Sequence, residues 1–331
     1  MAQTRRSSRI KHTTRKHPRR GYIYLAARGG LNDNLAQLAI CTKYAIKHQR
    51  SIIIEFTTYA AANIDTVFDF SEYPVPVFTN FKDKAQELSH NPIEPATITS
   101  LKHIPMRFSH HFSNERGWLD KNGVVLRFDL TRSYPTDAVL VYASGGGGGG
   151  DNALEILGDL RLRPAVLEAY KDKVHKCDIP AEYVSIHLRA SDRKLNITNN
   201  ITGMLLKDSD AIIKVPSTGN LYRDSLRKIG AFIKAHQSMP VFIAGDNSKL
   251  IAKLEDRYPS VIAGSSHPSK RSGPLHKQGA SDPNNLRDSI VDLLILAGGK
   301  AIMTSQGGYS RLAKKLLSRQ DILEKLLGEY P

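Results

Sequence analysis

The second half of the chain alternates short apolar runs with longer segments in which apolar residues recur at helical spacing. Helices are predicted to begin near Pro164 and to cover about 221–236, 248–257, 286–296 and 309–327. The apolar runs typical of buried strands are YVSIHL (183–188), VFIAG (241–245), VIAG (261–264) and AIMTS (301–305). Strands that alternate with helices predict a parallel sheet with helical crossovers.

A similar unit opens the chain after residue 20. GYIYLAA (21–27) is typical of a strand, the Gly29-Gly30 pair predicts a turn, and Asn32 or Asp33 is expected to cap the helix that follows. SIIIEF (51–56) and DAVLVYAS (137–144) predict two further strands, whereas prolines interrupt the pattern over 57–135. The apolar residues expected on the buried face of the first helix are Leu35, Leu38, Ala39, Ala45 and Ile46.

These patterns predict an α/β protein in which two Rossmann-like domains face each other across a cleft. The expected parts are a basic tail (1–20), an N-terminal Rossmann-like domain (21–163) and a C-terminal domain (164–331). Six consecutive glycines, 145–150, fall inside the first domain. They are not followed by the Lys and Ser or Thr of a phosphate-binding P-loop, so a flexible crossing or a mobile loop is the preferred interpretation.

The chain is strongly basic, and its charge is unevenly placed. It has 331 residues, 40% of them hydrophobic, and a formal net charge of +15. Residues 1–20 contain eight Arg and Lys and no acid, which leaves +7 for the rest of the chain. The tail is interpreted as a disordered solubilising leader, with binding to nucleic acid or another polyanion as the alternative. The net charge of +7 carried by the body of the chain, residues 21–331, indicates an anionic ligand.

The sequence also bears on the compartment. No apolar stretch approaches the roughly 20 residues of a membrane-spanning helix, and residues 1–20 contain no apolar core of a secretory signal. Cys41 and Cys177 are too few for a disulfide framework, so a reducing compartment is expected. We therefore predict a cytoplasmic protein without a membrane anchor.

Polar residues cluster after three of the predicted strands in the C-terminal domain. Because doubly wound sheets bind ligands beyond the carboxyl ends of their strands, these residues are expected to meet at one site. Arg189 offers a bidentate fork to phosphate oxygens, and the helix after Ser305 offers free N–H groups and a positive dipole end. The candidates are His187, Arg189, Ser191, Asp192 and Arg193 after the first strand, Asp246 and Asn247 after the second, and Ser305, Gln306, Ser310 and Arg311 after the third.

Other chemistries lack their motifs. The chain contains neither Gly-x-Ser-x-Gly nor His-Glu-x-x-His, and it has no Cys pair at zinc-binding spacing. Asp208-Ser209-Asp210 has the D-x-D form that holds a divalent cation on a nucleotide diphosphate in some glycosyltransferases. Because it follows no clear core strand, a solvated turn is the preferred interpretation. A metal-dependent transferase that uses Asp208 and Asp210 stays open as an alternative.

Four segments carry motifs in a defined order along the chain. They are RGGLNDNLAQL (28–38), SIHLRASDRK (185–194), FIAGDN (242–247) and DLLILAGGKAIMTSQGGYSRLAKKL (292–316). They resemble, in turn, the glycine-rich turn, the H-x-R-x-x-D strand end, the F-x-A-x-D-D segment and the S-x-x-S-R-x-A segment of the GDP-fucose-dependent fucosyltransferase superfamily. That group includes α1,6-, α1,2- and protein O-fucosyltransferases.

The resemblance implies a GT-B-like fold and metal-independent, inverting transfer of fucose from GDP-fucose to a glycan or another hydroxyl acceptor, without a cofactor. Arg189 would contact the donor diphosphate, and Asn34 would match a catalytic Asn of some protein O-fucosyltransferases. Asp33, Glu55 and Asp192 are candidates for the general base by their location alone. The residues expected to bind the donor are Gly29, Gly30, His187, Arg189, Ser191, Asp192, Arg193, Asp246, Asn247, Asp292, Ser305, Gln306, Gly307, Ser310 and Arg311.

The sequence departs from the family pattern at two positions. Ala190 stands where the α1,6 enzymes have a second Arg, so compensation of the donor charge is incomplete or comes from Arg193 or Arg311. Asn247 replaces the second acid of the Asp pair. Two alternatives therefore stay open: a transferase that uses another nucleotide sugar, and a non-catalytic protein that binds nucleic acid or another polyanion.

Overall fold

A computed structural model describes ten segments of the chain. They are residues 21–26, 29–55, 64–104, 112–113, 117–118, 126–143, 152–189, 197–203, 220–264 and 283–328. The basic tail, the six glycines and the candidate residues Ser191, Asp192, Arg193, Asp208 and Asp210 lie outside these residues.

The N-terminal half contains a parallel sheet built around the first β-α-β unit. Its elements are β1 (Gly21–Ala26), α1 (Leu31–Lys47), β2 (Arg50–Glu55), α2 (Ile64–Val67), β3 (Phe68–Asp69), β4 (Val77–Phe78), α3 (Phe81–Glu87), β5 (Ile93–Glu94), a 3₁₀ turn (Leu101–His103), β6 (Phe112–Ser113), β7 (Gly117–Trp118), β8 (Val139–Tyr142) and α4 (Asn152–Asp159). Five of the strands form a sheet in the order β4-β2-β1-β8-β5, and all neighbours in it are parallel.

The C-terminal half contains a second five-stranded sheet. Its elements are β9 (Arg161–Leu162), α5 (Pro164–Lys176), β10 (Val184–Leu188), β11 (Ile197–Gly203), α6 (Leu221–Ala235), β12 (Val241–Gly245), α7 (Ser248–Arg257), β13 (Val261–Ala263), α8 (Pro283–Gly298), β14 (Ala301–Ser305), α9 (Gly308–Leu317) and α10 (Gln320–Leu327). The strand order is β11-β14-β10-β12-β13. Strands β14, β10, β12 and β13 are parallel, and β11 is an antiparallel edge strand.

The start of α1 differs from the prediction, because Gly30 and not Asn32 or Asp33 is its N-cap residue. Gly29 has φ +100°, which a glycine adopts without strain, so the chain turns at once from β1 into the helix. Asp33 then lies in the first helical turn, where its carboxylate Oδ2 accepts a hydrogen bond of 3.3 Å from the Gly30 N–H. The acid stabilises the helix start from the third helical position instead of the capping position.

Two other predictions about elements were wrong. The helix predicted over 309–327 is two helices, α9 and α10, separated at Ser318 and Arg319. The break allows Leu316 of α9 and Leu323 of α10 both to be buried. The second sheet is not wholly parallel, because its edge strand β11 is antiparallel to β14. This strand was not predicted, since its sequence ITNNITG has no apolar run that marks a strand.

One hydrophobic cluster extends across both halves of the molecule. It includes Ile23 of β1, Leu35 of α1, Leu312 of α9 and Ile322 of α10. Helix α1 also packs on α9, and α4 packs on α10. The apolar face of α1 therefore holds the first sheet's leading helix against the last helices of the chain. Ile46, predicted on that face, is instead 44% exposed.

The apolar run at 293–297 lies in α8. This helix packs against α5, α9 and the strands β10 and β12, and Leu293, Leu294 and Leu296 are buried. The run is therefore accounted for by the protein core. Over the described ranges, no helix combines the length and the apolar character needed to cross a bilayer.

Candidate active site

The three strand ends singled out in the sequence belong to adjacent strands. In the second sheet β10 lies between β14 and β12 and is parallel to both. His187 of β10 is paired with Thr304 of β14 on one side and with Ala244 of β12 on the other. The carboxyl ends of these strands therefore open on the same edge of the sheet, where ligands bind in doubly wound folds.

Arg189 lies against the N-terminus of α9. Its backbone N–H donates a hydrogen bond of 2.9 Å to Ser305 Oγ, which ties the end of β10 to the end of β14. Gly307, the N-cap residue of α9, has φ +149°, and a Cβ built there would lie 3.4 Å from Arg189 Nη1. This arrangement is suited to bind phosphate.

His187 is a neutral hydrogen-bonding group in this site. Its Nδ1 lies 2.6 Å from Ser310 Oγ, in the first turn of α9, and 3.5 Å from Ser305 Oγ. Burial, followed by the charge of Arg189, lowers the pKa of His187 to about 3. The imidazole therefore stays uncharged near pH 7, and the positive charge at this edge comes from Arg189.

The Tyr309 ring packs against the His187 ring in a tilted arrangement. The two ring centroids are 4.9 Å apart, and the Tyr309 hydroxyl donates a hydrogen bond of 2.6 Å to the carbonyl oxygen of Ser289 in α8. Burial raises the pKa of Tyr309, and the nearby carboxylate of Asp292 raises it further. Asp292 itself forms an ion pair with Lys173 of α5. It thus stabilises the packing of α8 and α5 beneath the site.

The glycine-rich turn of the first sheet is held by its own polar residues. A Cβ at Gly29 would lie 2.7 Å from Asp33 Oδ2, so only glycine fits under the Asp33 carboxylate. Asn34 Nδ2 donates a weak hydrogen bond of 3.4 Å to the Gly29 carbonyl oxygen. The Oδ1 atom of Asn34 is buried and has no hydrogen-bond partner among the described residues. Such an atom is expected at a site that a ligand completes.

The structure brings this turn into contact with the start of α9. A Cβ at Gly308, the first residue of α9, would lie 3.2 Å from both Cβ and Nδ2 of Asn32 in α1. The first turns of α1 and α9 therefore meet at Asn32 and Gly308. Sequence reasoning treated Asn32 only as a possible helix cap. Its position two residues after the Gly29-Gly30 pair was the signal that could have marked it.

The remaining candidates lie around this contact in different environments. The backbone N–H of Asp246 donates to the Leu188 carbonyl oxygen at 3.2 Å, and Asn247 Oδ1 caps α7 by accepting from the Leu250 N–H at 3.0 Å. Gln306 and Arg311 are exposed at the start of α9. Glu55 is a buried residue at the carboxyl end of β2 in the first sheet.

Within the part of the chain that the structure describes, no group of three or more His, Cys, Asp or Glu side chains has a metal-binding arrangement. Asp208 and Asp210 lie outside that part.

Comparison with known proteins identifies the fold. No protein-family model and no curated protein matches the chain. The fucosyltransferase NodZ from Bradyrhizobium has a TM-score of 0.56 and is 14% identical, over 89% of this chain and 93% of that chain. NodZ α-1,6-fucosyltransferase co-crystallised with GDP has a TM-score of 0.54 at 14% identity, over 89% and 92% of the two chains. NodZ soaked with GDP-fucose has a TM-score of 0.52 at 15% identity, over 90% and 92%.

These structures confirm the predicted GT-B-like α/β fold and, at the level of the fold, the resemblance to GDP-fucose-dependent fucosyltransferases. They do not bear on the boundary expected between residues 163 and 164, nor on the roles of individual side chains. Those assignments stay predictions.

Proposed function

We propose that this chain is a glycosyltransferase that transfers L-fucose from GDP-fucose to a hydroxyl of a glycan acceptor. The observation that carries the proposal is the cluster at the start of α9, where Arg189, Ser305 and Ser310 lie around Gly307. It lies in a fold shared with NodZ, a fucosyltransferase that has been crystallised with GDP and soaked with GDP-fucose. The positive surplus of the body, +7, favours an anionic donor of this kind.

In the proposed reaction the bond between fucose C1 and the β-phosphate oxygen breaks, and the acceptor hydroxyl oxygen forms a new bond to C1 from the opposite face. The configuration at C1 is thereby inverted, and the leaving GDP gains negative charge. We assign the stabilisation of that charge to the Arg189 guanidinium and the N–H groups at the start of α9. The acceptor proton passes to a base, for which Asp33 and Glu55 are the candidates within the described residues.

The proposed donor site takes its parts from both sheets. From the second sheet we assign the diphosphate to Arg189 and α9, and the guanosine to the side of β12 that carries Asp246 and Asn247. From the first sheet we assign the glycine turn and Asn34 to the sugar side of the same site. Asp292 acts here through packing, because its carboxylate is paired with Lys173.

We further propose that transfer is metal-independent, because Arg189 and a helix N-terminus together can supply the positive charge that a divalent cation supplies in other transferases.

One assay tests both the donor and the metal independence. The full chain is incubated with GDP-fucose, GDP-mannose or a UDP-sugar, with and without EDTA, and release of the free nucleotide is measured. We expect release of GDP from GDP-fucose above the other donors, unchanged by EDTA.

Three outcomes contradict the proposal at different levels. Turnover of a UDP-sugar or GDP-mannose in preference to GDP-fucose would overturn the donor. Loss of GDP release in EDTA with recovery on adding Mn²⁺ or Mg²⁺ would overturn metal independence and favour Asp208 and Asp210. Absence of any turnover together with no thermal stabilisation by GDP would overturn the enzyme assignment, since a ligand at 100 times its Kd stabilises a protein by about 2.7 kcal/mol.

A further inference from the structure

Tyr309 is the aromatic residue in the first turn of α9, between Gly308 and Ser310. Its hydroxyl donates a hydrogen bond of 2.6 Å to the carbonyl oxygen of Ser289 in α8. Its ring centroid lies 4.9 Å from that of His187, with 41° between the two ring planes. The hydroxyl is therefore used inside the protein, and the ring is the part of Tyr309 that faces the candidate active site.

The His187 imidazole is held by two consecutive residues of α9. Ser310 Oγ lies 2.6 Å from its Nδ1, and the Tyr309 ring packs against its ring. A hydrogen bond at one nitrogen leaves rotation of the imidazole partly open, because the χ2 torsion of histidine has broad energy minima. Successive residues of a helix point about 100° apart, so the second contact comes from another direction and restricts this rotation.

The position of the Tyr309 ring is set by the protein core. Helix α8, which accepts the hydrogen bond of the Tyr309 hydroxyl, packs against α5, α9 and the strands β10 and β12. The Tyr309 ring also packs against the hydrophobic cluster that extends across both halves of the molecule. Because a core of this kind is close-packed, the ring has little room to move, and the orientation of His187 follows from its position.

Tyr183 offers a comparison within the same helix contact. Its hydroxyl also donates at 2.6 Å to a carbonyl oxygen of α8, that of Ile295, and its side chain is buried. Tyr183 lies just before β10, at the amino end of the strand, whereas His187 lies near the carboxyl end. The two tyrosines therefore make the same kind of bond to α8 at opposite ends of β10.

We infer that Tyr309 is a positioning residue for donor binding: its hydroxyl fixes the ring on α8, and the ring fixes the orientation of the His187 imidazole toward the donor. The inference rests on the proposed function, in which His187 is one of the residues expected to bind GDP-fucose. It adds a residue that acts on the donor only through His187.

This role predicts a particular change in the kinetics. The proposed reaction assigns the developing charge to Arg189 and the start of α9, so a contact from His187 binds the donor about equally in the ground state and in the transition state. Loss of the His187 orientation should therefore raise KM and leave kcat nearly unchanged.

The test measures the initial rate of GDP release by the full chain over a range of GDP-fucose concentrations. Tyr309→Met replaces the ring by a flexible side chain that still fills space, and it should raise KM about tenfold with kcat within about twofold of the wild type. Tyr309→Phe keeps the ring and should return KM to within about threefold of the wild type. If Tyr309→Met does not fold, Tyr309→Leu takes its place with the same expectation.

Two controls separate positioning from packing. Tyr183→Met loses the equivalent bond to α8 and should lower the melting temperature, but KM should not change. A purely structural defect reduces the fraction of folded enzyme, which lowers the apparent kcat and leaves KM as it was. In the double variant of His187→Gln and Tyr309→Met, KM should exceed that of His187→Gln alone by less than about twofold, because a residue that acts through His187 has no further effect once His187 is replaced.

The possible results separate this inference from the proposed function. If the wild type releases no GDP from GDP-fucose, the proposed function fails and the inference fails with it. If the wild type is active and Tyr309→Met leaves KM unchanged, the inference alone fails. It also fails if Tyr183→Met raises KM equally, if KM of the double variant lies far above that of His187→Gln, or if neither Tyr309→Met nor Tyr309→Leu folds, since Tyr309 is then a packing residue.

Discussion

The two helix starts that meet at the cleft are built in opposite ways. At the start of α9 the polar side chains are already paired: Ser310 with His187, and Ser305 with the backbone of Arg189. At the start of α1 the Asp33 carboxylate and the Asn34 Nδ2 atom bond to the backbone of the turn, while Asn34 Oδ1 has no partner among the described residues. The first site carries a cation, and the second carries neutral amides and an acid.

This difference indicates a division of roles. A preorganised cationic site costs no reorganisation when charge develops on a leaving group, so the α9 side is suited to the diphosphate. Asn34 Oδ1 is a buried acceptor that gains stability when a donor reaches it, so the α1 side is suited to contact a hydroxyl group of a ligand. Each prediction below alters one side of this contact, beginning with the largest expected effect.

Arg189→Ala should lower turnover of GDP-fucose by about 10²–10³-fold, since a deleted donor to a developing oxyanion costs about 2.7–4 kcal/mol of barrier. The change removes the cation from the α9 side and leaves the α1 side intact. Turnover is measured as the initial rate of GDP release at saturating GDP-fucose. Arg319→Ala is the control, because that guanidinium pairs with Asp321 on the surface at 2.6 Å. Wild-type turnover in Arg189→Ala would refute the assignment of the diphosphate to this side.

His187 should make the protein less stable in acid. Its pKa is about 3 in the folded protein and about 6.5 when unfolded, so between these values the unfolded chain binds the extra proton. Stability therefore falls as the pH falls below 6.5, by about 1.4 kcal/mol per pH unit for this one group. Urea unfolding of His187→Gln between pH 5.5 and 4 should show a slope shallower by that amount. Parallel curves for the two proteins would show that the imidazole titrates normally.

Gly308→Ala should weaken GDP binding about three- to tenfold, because its Cβ would lie 3.2 Å from Asn32 and force the two helix starts apart by a few tenths of an ångström. Gly158→Ala in α4 is the matched control. A Cβ there would lie 3.7 Å from Ile322 in ordinary contact, so affinity should not change, and stability should rise by about 0.5–1 kcal/mol. Equal affinities for both variants would mean that this spacing does not matter to the ligand.

Removal of residues 1–20 should have the smallest effect on the cleft. Since no candidate site residue lies in the tail, the KM for GDP-fucose should stay within twofold of the full chain. Binding of the full chain to heparin or single-stranded RNA should weaken on truncation and with rising salt, because eight cationic side chains are lost. A loss of GDP-fucose turnover on truncation would contradict the expectation that the tail takes no part in the reaction.

Much of the second sheet could be predicted from the sequence. The bounds of β12, α7 and β14 match the predictions, because these segments have strong apolar periodicity and short connections. Their order along the chain was enough to bring His187, Arg189 and Ser305 to one edge. Parallel strands joined by right-handed crossovers leave few alternatives for where such residues can lie.

The first half was less predictable. Over 64–104 the strands β4 and β5 have only two residues each, too few to show a period. Strand β11 has no apolar run in its sequence, and it pairs with β14 at the edge of the sheet. Neither the break between α9 and α10 nor the exposure of Ile46 is visible in a helical repeat, since both depend on what packs against each face.

The amino-acid sequence by itself determined the class of fold and the chemistry of the α9 side, because local periodicity and strand-end residues are properties of short segments. Only the tertiary structure decided which helix start faces that side. The contact of Asn32 with Gly308 joins residues 276 positions apart, and it depends on a core shared by α1, α9 and α10. Long-range packing of this kind is set by the volumes and shapes of many side chains together, which no local pattern encodes.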